Sequence, residues 1–250
     1  MRIPLAPAGL REMVILTLVF GGVAGLGYAA LWAGHGWGLG LGVFFTHLWF
    51  GGLAFFRDPE RTPPAEADTL VSPADGKVTE SSRLDYHEDV HGPAMRIGIF
   101  LSIFDVHVNR SPCSGVVRSI TYQRGKFLDA RDRRSGAENE SNTIVIEPED
   151  PSAGPIVVRQ VAGKIARRIV CSLRVGDRVE RGQRIGLIKF GSRTELIVPV
   201  SCRYVPAVRI GDHARGATTI LARRGAGADG PPVDAGATGR SGHAQACVGS

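Results

Sequence analysis

Residues that could do chemistry are Gly191 and Ser192, within KFGSRTELIVP (189–199). Two strand-like apolar runs, RIGLIKF (184–190) and TELIVPV (194–200), break there. A bulge or tight turn is one reading, because glycine tolerates strained dihedrals. A reactive peptide bond is the other. Glycine leaves its carbonyl unshielded and its backbone free to distort, so the Ser192 hydroxyl could attack the Gly191 carbonyl. The amide becomes an ester, the ester eliminates to dehydroalanine, and water releases ammonia. Ser192 then ends as an N-terminal pyruvoyl group. Such a reaction needs a base and an oxyanion stabiliser.

Few residues qualify as the base. His107 lies in FLSIFDVHVNRSP (100–112), just after an apolar strand at 95–102. Asp105 is two residues away and shares its face on an extended strand. Asp75 lies in VSPADGKV (71–78), where Pro-Ala-Asp-Gly also reads as an ordinary turn. A histidine beside a strand is commonly structural. None of these residues decides the matter alone.

The elements that must position them form a mostly β domain over about 69–222, a β-rich barrel or sandwich with few short helices. Runs at 95–102, 115–122, 142–147, 155–163, 167–173, 184–190 and 194–200 are rich in β-branched residues and separated by turn signals. Only 127–138 has weakly helical content. Residues 58–68, DPERTPPAEAD, read as a linker because prolines deny helix continuation. After about residue 222 the chain turns to Gly, Ala, Pro and polar residues, expected as a disordered tail over 223–250.

The N-terminal end differs in kind. No Asp, Glu, Lys or Arg occurs in the 44 residues from Met13 to Phe56. Spans at 13–32 and 36–56 each have the length of a membrane-crossing helix and are joined by Ala33-Gly34-His35. The expectation is a transmembrane helical hairpin over 1–57, with its glycines as close-packing positions. A hairpin dipping into one leaflet is the alternative. Arg2 and Arg11 before the first span, and Arg57 and Arg61 after the second, put both ends on the cytoplasmic side of a cell membrane.

The net charge is +6. With no basic run interleaved with aromatics, anionic lipid is the simpler partner than nucleic acid. Cys113, Cys171, Cys202 and Cys247 are widely spaced, which fits reduced thiols better than a disulfide framework or zinc site.

An ordered set of motifs then carries a resemblance: FFRDPER (55–61), SPADGKV (72–78), FLSIFDVHVNRSP (100–112), GKFLDARDRRSGAENESN (125–142) and VGDRVERGQRIGLIKFGSR (175–193). Together they resemble the short-form phosphatidylserine decarboxylases. The resemblance implies self-cleavage at Gly191–Ser192 into chains 1–191 and 192–250, which stay associated. It implies a covalent pyruvoyl cofactor made from Ser192, with no metal. That group would form a Schiff base with phosphatidylserine in the membrane, and decarboxylation would give phosphatidylethanolamine. Asp75 and His107 match the family's acidic and histidine positions, and His107 is the chosen proton donor. The second histidine of the long forms is Arg110 here, which leaves His107 or water to cover both maturation and decarboxylation. Arg193 stands where long forms have Thr, and Ser141 where relatives often have Arg. Arg57, Arg61, Arg124 and Arg131 are candidates for the lipid phosphate. The oligomeric state stays open, a homodimer included.

One rival belongs to another class. LRVGDRVERGQRIGLIKF (173–190) resembles the biotinyl or lipoyl carrier hairpin, which presents a modified lysine at an exposed tip. Lys189 would be that lysine, in a carrier or a membrane adaptor. A non-enzymatic membrane-anchored β domain is the third reading.

Overall fold

The computed structural model describes residues 5–126, 138–163, 168–189 and 192–225. Gly191, Arg131, most of the weakly helical stretch and nearly all of the expected tail lie outside the described residues.

The N-terminal part is a helix pair. A turn at Pro7–Gly9 leads into α1 (Leu10–Leu16), a wider π turn (Thr17–Gly21) and α2 (Gly22–Trp32), with α3 (Trp37–Phe55) returning alongside. The first helix thus starts one to two turns before the expected span. Both helices are long and apolar enough to cross a membrane. Gly27 and Gly38 set their closeness: a Cβ on Gly27 would lie 2.5 Å from the Gly42 nitrogen, and one on Gly38 would lie 2.4 Å from the Gly27 oxygen. Any side chain there would force the backbones apart. Trp49 Nε1 donates to Thr17 Oγ1 at 3.0 Å across the pair. At the foot, Ala6 N–H donates to the Phe56 carbonyl at 2.8 Å, so both ends emerge together. Leu18, Leu26, Phe44 and Phe50 face outward, as suits lipid.

The rest is antiparallel β structure. The strands are β1 (Thr69–Val71), β2 (Gly76–His87), β3 (Gly92–Leu101), β4 (Val108–Arg110), β5 (Gly115–Gln123), β6 (Ser141–Pro148) and β7 (Ile156–Ala162). They continue as β8 (Arg168–Cys171), β9 (Arg178–Val179), β10 (Arg184–Lys189), β11 (Ser192–Pro199), β12 (Tyr204–Pro206), β13 (His213–Ala214) and β14 (Ile220–Arg224). A curled eight-stranded sheet has the order β13-β2-β3-β11-β7-β6-β5-β9. Two three-stranded sheets, β4-β10-β8 and β1-β14-β12, complete the domain. Ile97, Ile99, Leu101, Ile144, Ile146, Ile156, Val158, Leu196 and Val198 form its main core.

All seven expected strands are present, within a few residues at each end. The long β2 was not expected. Its second half, from Glu80 onward, carries polar residues on both faces, so its sequence lacks an apolar alternation. β14 runs two residues past the expected boundary at 222.

Residues 58–66 have no regular secondary structure, yet they are tied to the domain. Asp58 is fully buried and pairs with Arg110 Nη2 at 2.9 Å and Arg184 Nε at 2.5 Å. Arg110, where long-form relatives have a histidine, is thus a structural cation. An Asp58→Ala variant strands the buried Arg110 charge. It is expected to lose about 3–5 kcal/mol of stability, read as a lowered unfolding midpoint in detergent. An unchanged midpoint would contradict that role.

Candidate active site

Ser192 opens β11, a central strand paired with both β3 and β7. β10, which precedes it, belongs to a different sheet. Lys189 and Ser192 therefore lie in different sheets. Side chains alternate along β11. Ser192 and Thr194 fall on the face of the core residues Leu196 and Val198, whereas Arg193 and Glu195 fall on the other.

That alternation explains Arg193. Its guanidinium pairs with Glu80 and lies 2.9 Å from Glu195 Oε1, over Gly98. Arg96 joins Glu80 at 2.5 Å. Burial raises the Glu80 pKa, but Ser82, Arg193 and Arg96 outweigh it and hold it at about 2. The residue that departs from the long forms thus builds an ion cluster behind the sheet, away from Ser192.

His107 comes immediately before β4 and is fully buried. Ile188 of β10 donates its N–H to the His107 carbonyl at 3.3 Å. The imidazole Nδ1 lies 2.9 Å from the Asp105 carbonyl. A carbonyl only accepts, so Nδ1 carries the proton and Nε2 presents a lone pair. The Phe55 ring, at the end of α3, covers His107 with centroids 4.1 Å apart. Burial pushes the His107 pKa down to about 4, against the upward pull of Asp105 and Asp75 and together with the repulsion from Arg57.

Neither His107 Nε2 nor Ser192 Oγ has a hydrogen-bond partner among the described residues, and both are buried. Leaving a buried polar atom unpaired costs about 1–3 kcal/mol. Two such atoms are more expected of a reactive site than of a plain bulge. Asn109 links their segments, since its Nδ2 donates to Thr194 Oγ1 at 3.1 Å. His107 is two residues from Asn109, and Ser192 is two from Thr194. Gln160 Nε2 holds Asn109 Oδ1 at 2.8 Å, and Asn142 holds Gln160 at 2.9 Å.

Asp75 is joined to the same region because Arg110 N–H donates to the Pro73 carbonyl at 2.9 Å. The Asp75 carboxylate takes two bonds from Arg61, at 2.5 and 2.7 Å, and one from Gly216 N–H at 2.8 Å. It acts on His107 through its charge, while the Asp105 carbonyl orients the ring. The Asp105 carboxylate caps Ser102 and lies 3.0 Å from His213 Nε2.

Of the other sequence candidates, Arg61 is committed to Asp75, and Arg57 donates to the Ala54 and Phe104 carbonyls. Arg124 is exposed just past β5. Lys189 is buried at the end of β10, with its Nζ 2.7 Å from Glu12 Oε1. It is not at an exposed hairpin tip, which removes the basis of the carrier reading. Sequence reasoning missed Asn109, Gln160 and the Phe55 lid. Asn and Gln give no periodic signal, and the stacking joins residues far apart in the chain.

The family model for phosphatidylserine decarboxylase matches residues 52–222. A protein of Pelobacter propionicus named phosphatidylserine decarboxylase proenzyme is 46% identical over 186 residues, which cover 74% of this chain and 82% of that protein. Proteins of the same name from Ralstonia nicotianae and Rhodopirellula baltica are 40% and 39% identical. The alignments cover 85% and 88% of this chain, and 91% and 88% of those proteins. The match takes in every motif of the central domain, and the chain belongs to the phosphatidylserine decarboxylase family.

Proposed function

We propose that this chain is a membrane-anchored phosphatidylserine decarboxylase that matures by cutting its own Gly191–Ser192 bond. The observation that carries the reading is the pair of buried atoms, Ser192 Oγ and His107 Nε2, that have no hydrogen-bond partner among the described residues and lie on segments tied together by Asn109 and Thr194.

In maturation, His107 Nε2 takes the Ser192 hydroxyl proton and Oγ attacks the Gly191 carbonyl carbon. The C–N bond breaks and an ester forms. Loss of the Ser192 α-proton expels Gly191 as a carboxylate, and hydrolysis of the resulting dehydroalanine releases ammonia. The pyruvoyl group left at position 192 supplies a carbonyl for the substrate amine and an electron sink for decarboxylation. In each turnover His107 takes a proton that the substrate ammonium sheds and returns one to the carbon that lost carbon dioxide. The Asp75 charge favours the transient imidazolium of each proton transfer. The helix pair holds the domain at the bilayer surface, and its flanking arginines favour the cytoplasmic side.

The reading is tested with phosphatidylserine vesicles and cyanoborohydride. Turnover should release carbon dioxide, and reduction during turnover should inactivate the protein and add the lipid's mass to the chain beginning at 192. Turnover with no adduct at that residue would overturn the pyruvoyl role.

Phe55 bears on the pH profile. A neutral Nε2 is required to accept the serine proton, so maturation is lost as pH falls through the His107 value of about 4. Phe55→Ala lets water reach the ring and moves that value back towards the usual 6.5. The acid limb of the maturation rate is expected to shift upward by about one unit. A limb that stays in place would show that Phe55 does not set the environment of His107.

A further inference from the structure

A cavity of about 390 Å³ lies at the foot of the helix pair, where α1 meets β8 and the end of β10. Arg11, Glu12, Arg168 and Lys189 supply its polar lining and Val170 part of its apolar wall. Glu12 pairs with Lys189 at 2.7 Å, which fixes that cation and neutralises it. Arg11 and Arg168 are exposed and have no hydrogen bond or ion pair among the described residues. Among the described residues, the cavity therefore carries two guanidinium groups with no counter-ion bonded to them.

Its position matters as much as its charge. Arg11 sits at the polar end of an apolar helix, the depth at which cations meet lipid phosphates. Lys189 is three residues before Ser192, so their Cα atoms are at most about 11 Å apart. A phosphate in this cavity would lie against the strand that leads into residue 192.

We propose that this cavity binds the phosphate of the phospholipid substrate, with Arg11 and Arg168 as the recognising groups. The proposal rests on the decarboxylase reading and adds a substrate subsite to it. Guanidinium groups suit the task because their planar donors match phosphate oxygens in pairs. Glu12 opposes an anion, but its charge is matched by Lys189. The site also differs from the arginines first suggested by the sequence, since Arg57 and Arg61 are occupied within the protein.

The test uses the full chain with Ser192→Ala, which binds but does not turn over, in a neutral detergent. Calorimetry measures binding of dihexanoyl-phosphatidylserine and, separately, of inorganic phosphate. Adding Arg11→Gln and Arg168→Gln together should weaken lipid binding at least tenfold, with circular dichroism unchanged. In the chain with native Ser192, the same pair should raise KM without reducing the fraction of cut chain. Unchanged lipid affinity overturns the proposal. So does loss of affinity on Arg124→Gln alone, which would put the phosphate past β5. Inorganic phosphate binding as tightly as the lipid would make the cavity a free-phosphate site and remove the substrate assignment. Failure of the native chain to cut itself would sink the pyruvoyl reading while leaving the binding result intact.

Discussion

A Ser192→Ala chain is expected to remain whole at 26.6 kDa and to release no carbon dioxide from phosphatidylserine. The loss is complete because the hydroxyl supplies two things in succession. In the proposed mechanism it is the nucleophile that opens the Gly191 carbonyl, and its own carbons become the reactive carbonyl group. Among the described residues, no side chain next to it in β11 can replace either. Arg193 and Glu195 point to the other face of the sheet, and Thr194 Oγ1 is held by Asn109. The fold should survive. Ser192 Oγ is buried without a hydrogen-bond partner among the described residues, so removing it breaks no bond among them. The unfolding midpoint should stay level or rise. A Ser192→Ala chain that still splits between 191 and 192 would end the proposed mechanism.

His107→Gln is expected to have the next largest effect. Glutamine retains a hydrogen-bonding amide but cannot cycle a proton near neutral pH. General acid–base groups typically contribute about 100- to 10,000-fold, and maturation should slow within that range. Decarboxylation must be normalised to cut chain, because uncut chain carries no pyruvoyl group. A normalised rate equal to wild type would show that water or another group returns the proton. The variant should also change stability. The folded protein keeps His107 neutral down to about 4, whereas the unfolded chain gains a proton near 6.5. Stability contributed by this group is thus present above pH 6.5 and lost as pH falls from there to about 4. His107→Gln should remove that part of the pH dependence. The contribution of Glu80, held at about 2, is lost only in more acidic solution and should remain.

Much of the scaffold was legible in the sequence. β3, β6, β7 and β11 each carry Ile, Val or Leu that read as strand, and they lie in the middle of the large sheet. The helix pair announced itself by length and lack of charge. β2 stayed hidden because its outer half is polar on both faces. The short strands β9 and β13 are too brief to carry a period.

The candidate site was legible in part. Ser192, His107 and Asp75 stand in motifs, and their residue types name the chemistry. Their relations do not follow from spacing. Arg110 occupies the place of a second histidine, but only burial against Asp58, 52 residues earlier, makes it structural. Arg193 follows the candidate serine, where long forms have Thr. Alternation along β11 puts it behind the sheet. The Asp75–Arg61 pair and the Phe55 lid likewise join segments that the sequence keeps apart.

Intact-mass spectrometry of the purified, untreated full chain tests the central claim most directly. The expected result is two species, one ending at Gly191 and a smaller one beginning with a pyruvoyl group in place of Ser192 and blocked to Edman degradation. A single uncut chain of 26.6 kDa that persists on prolonged incubation would contradict it.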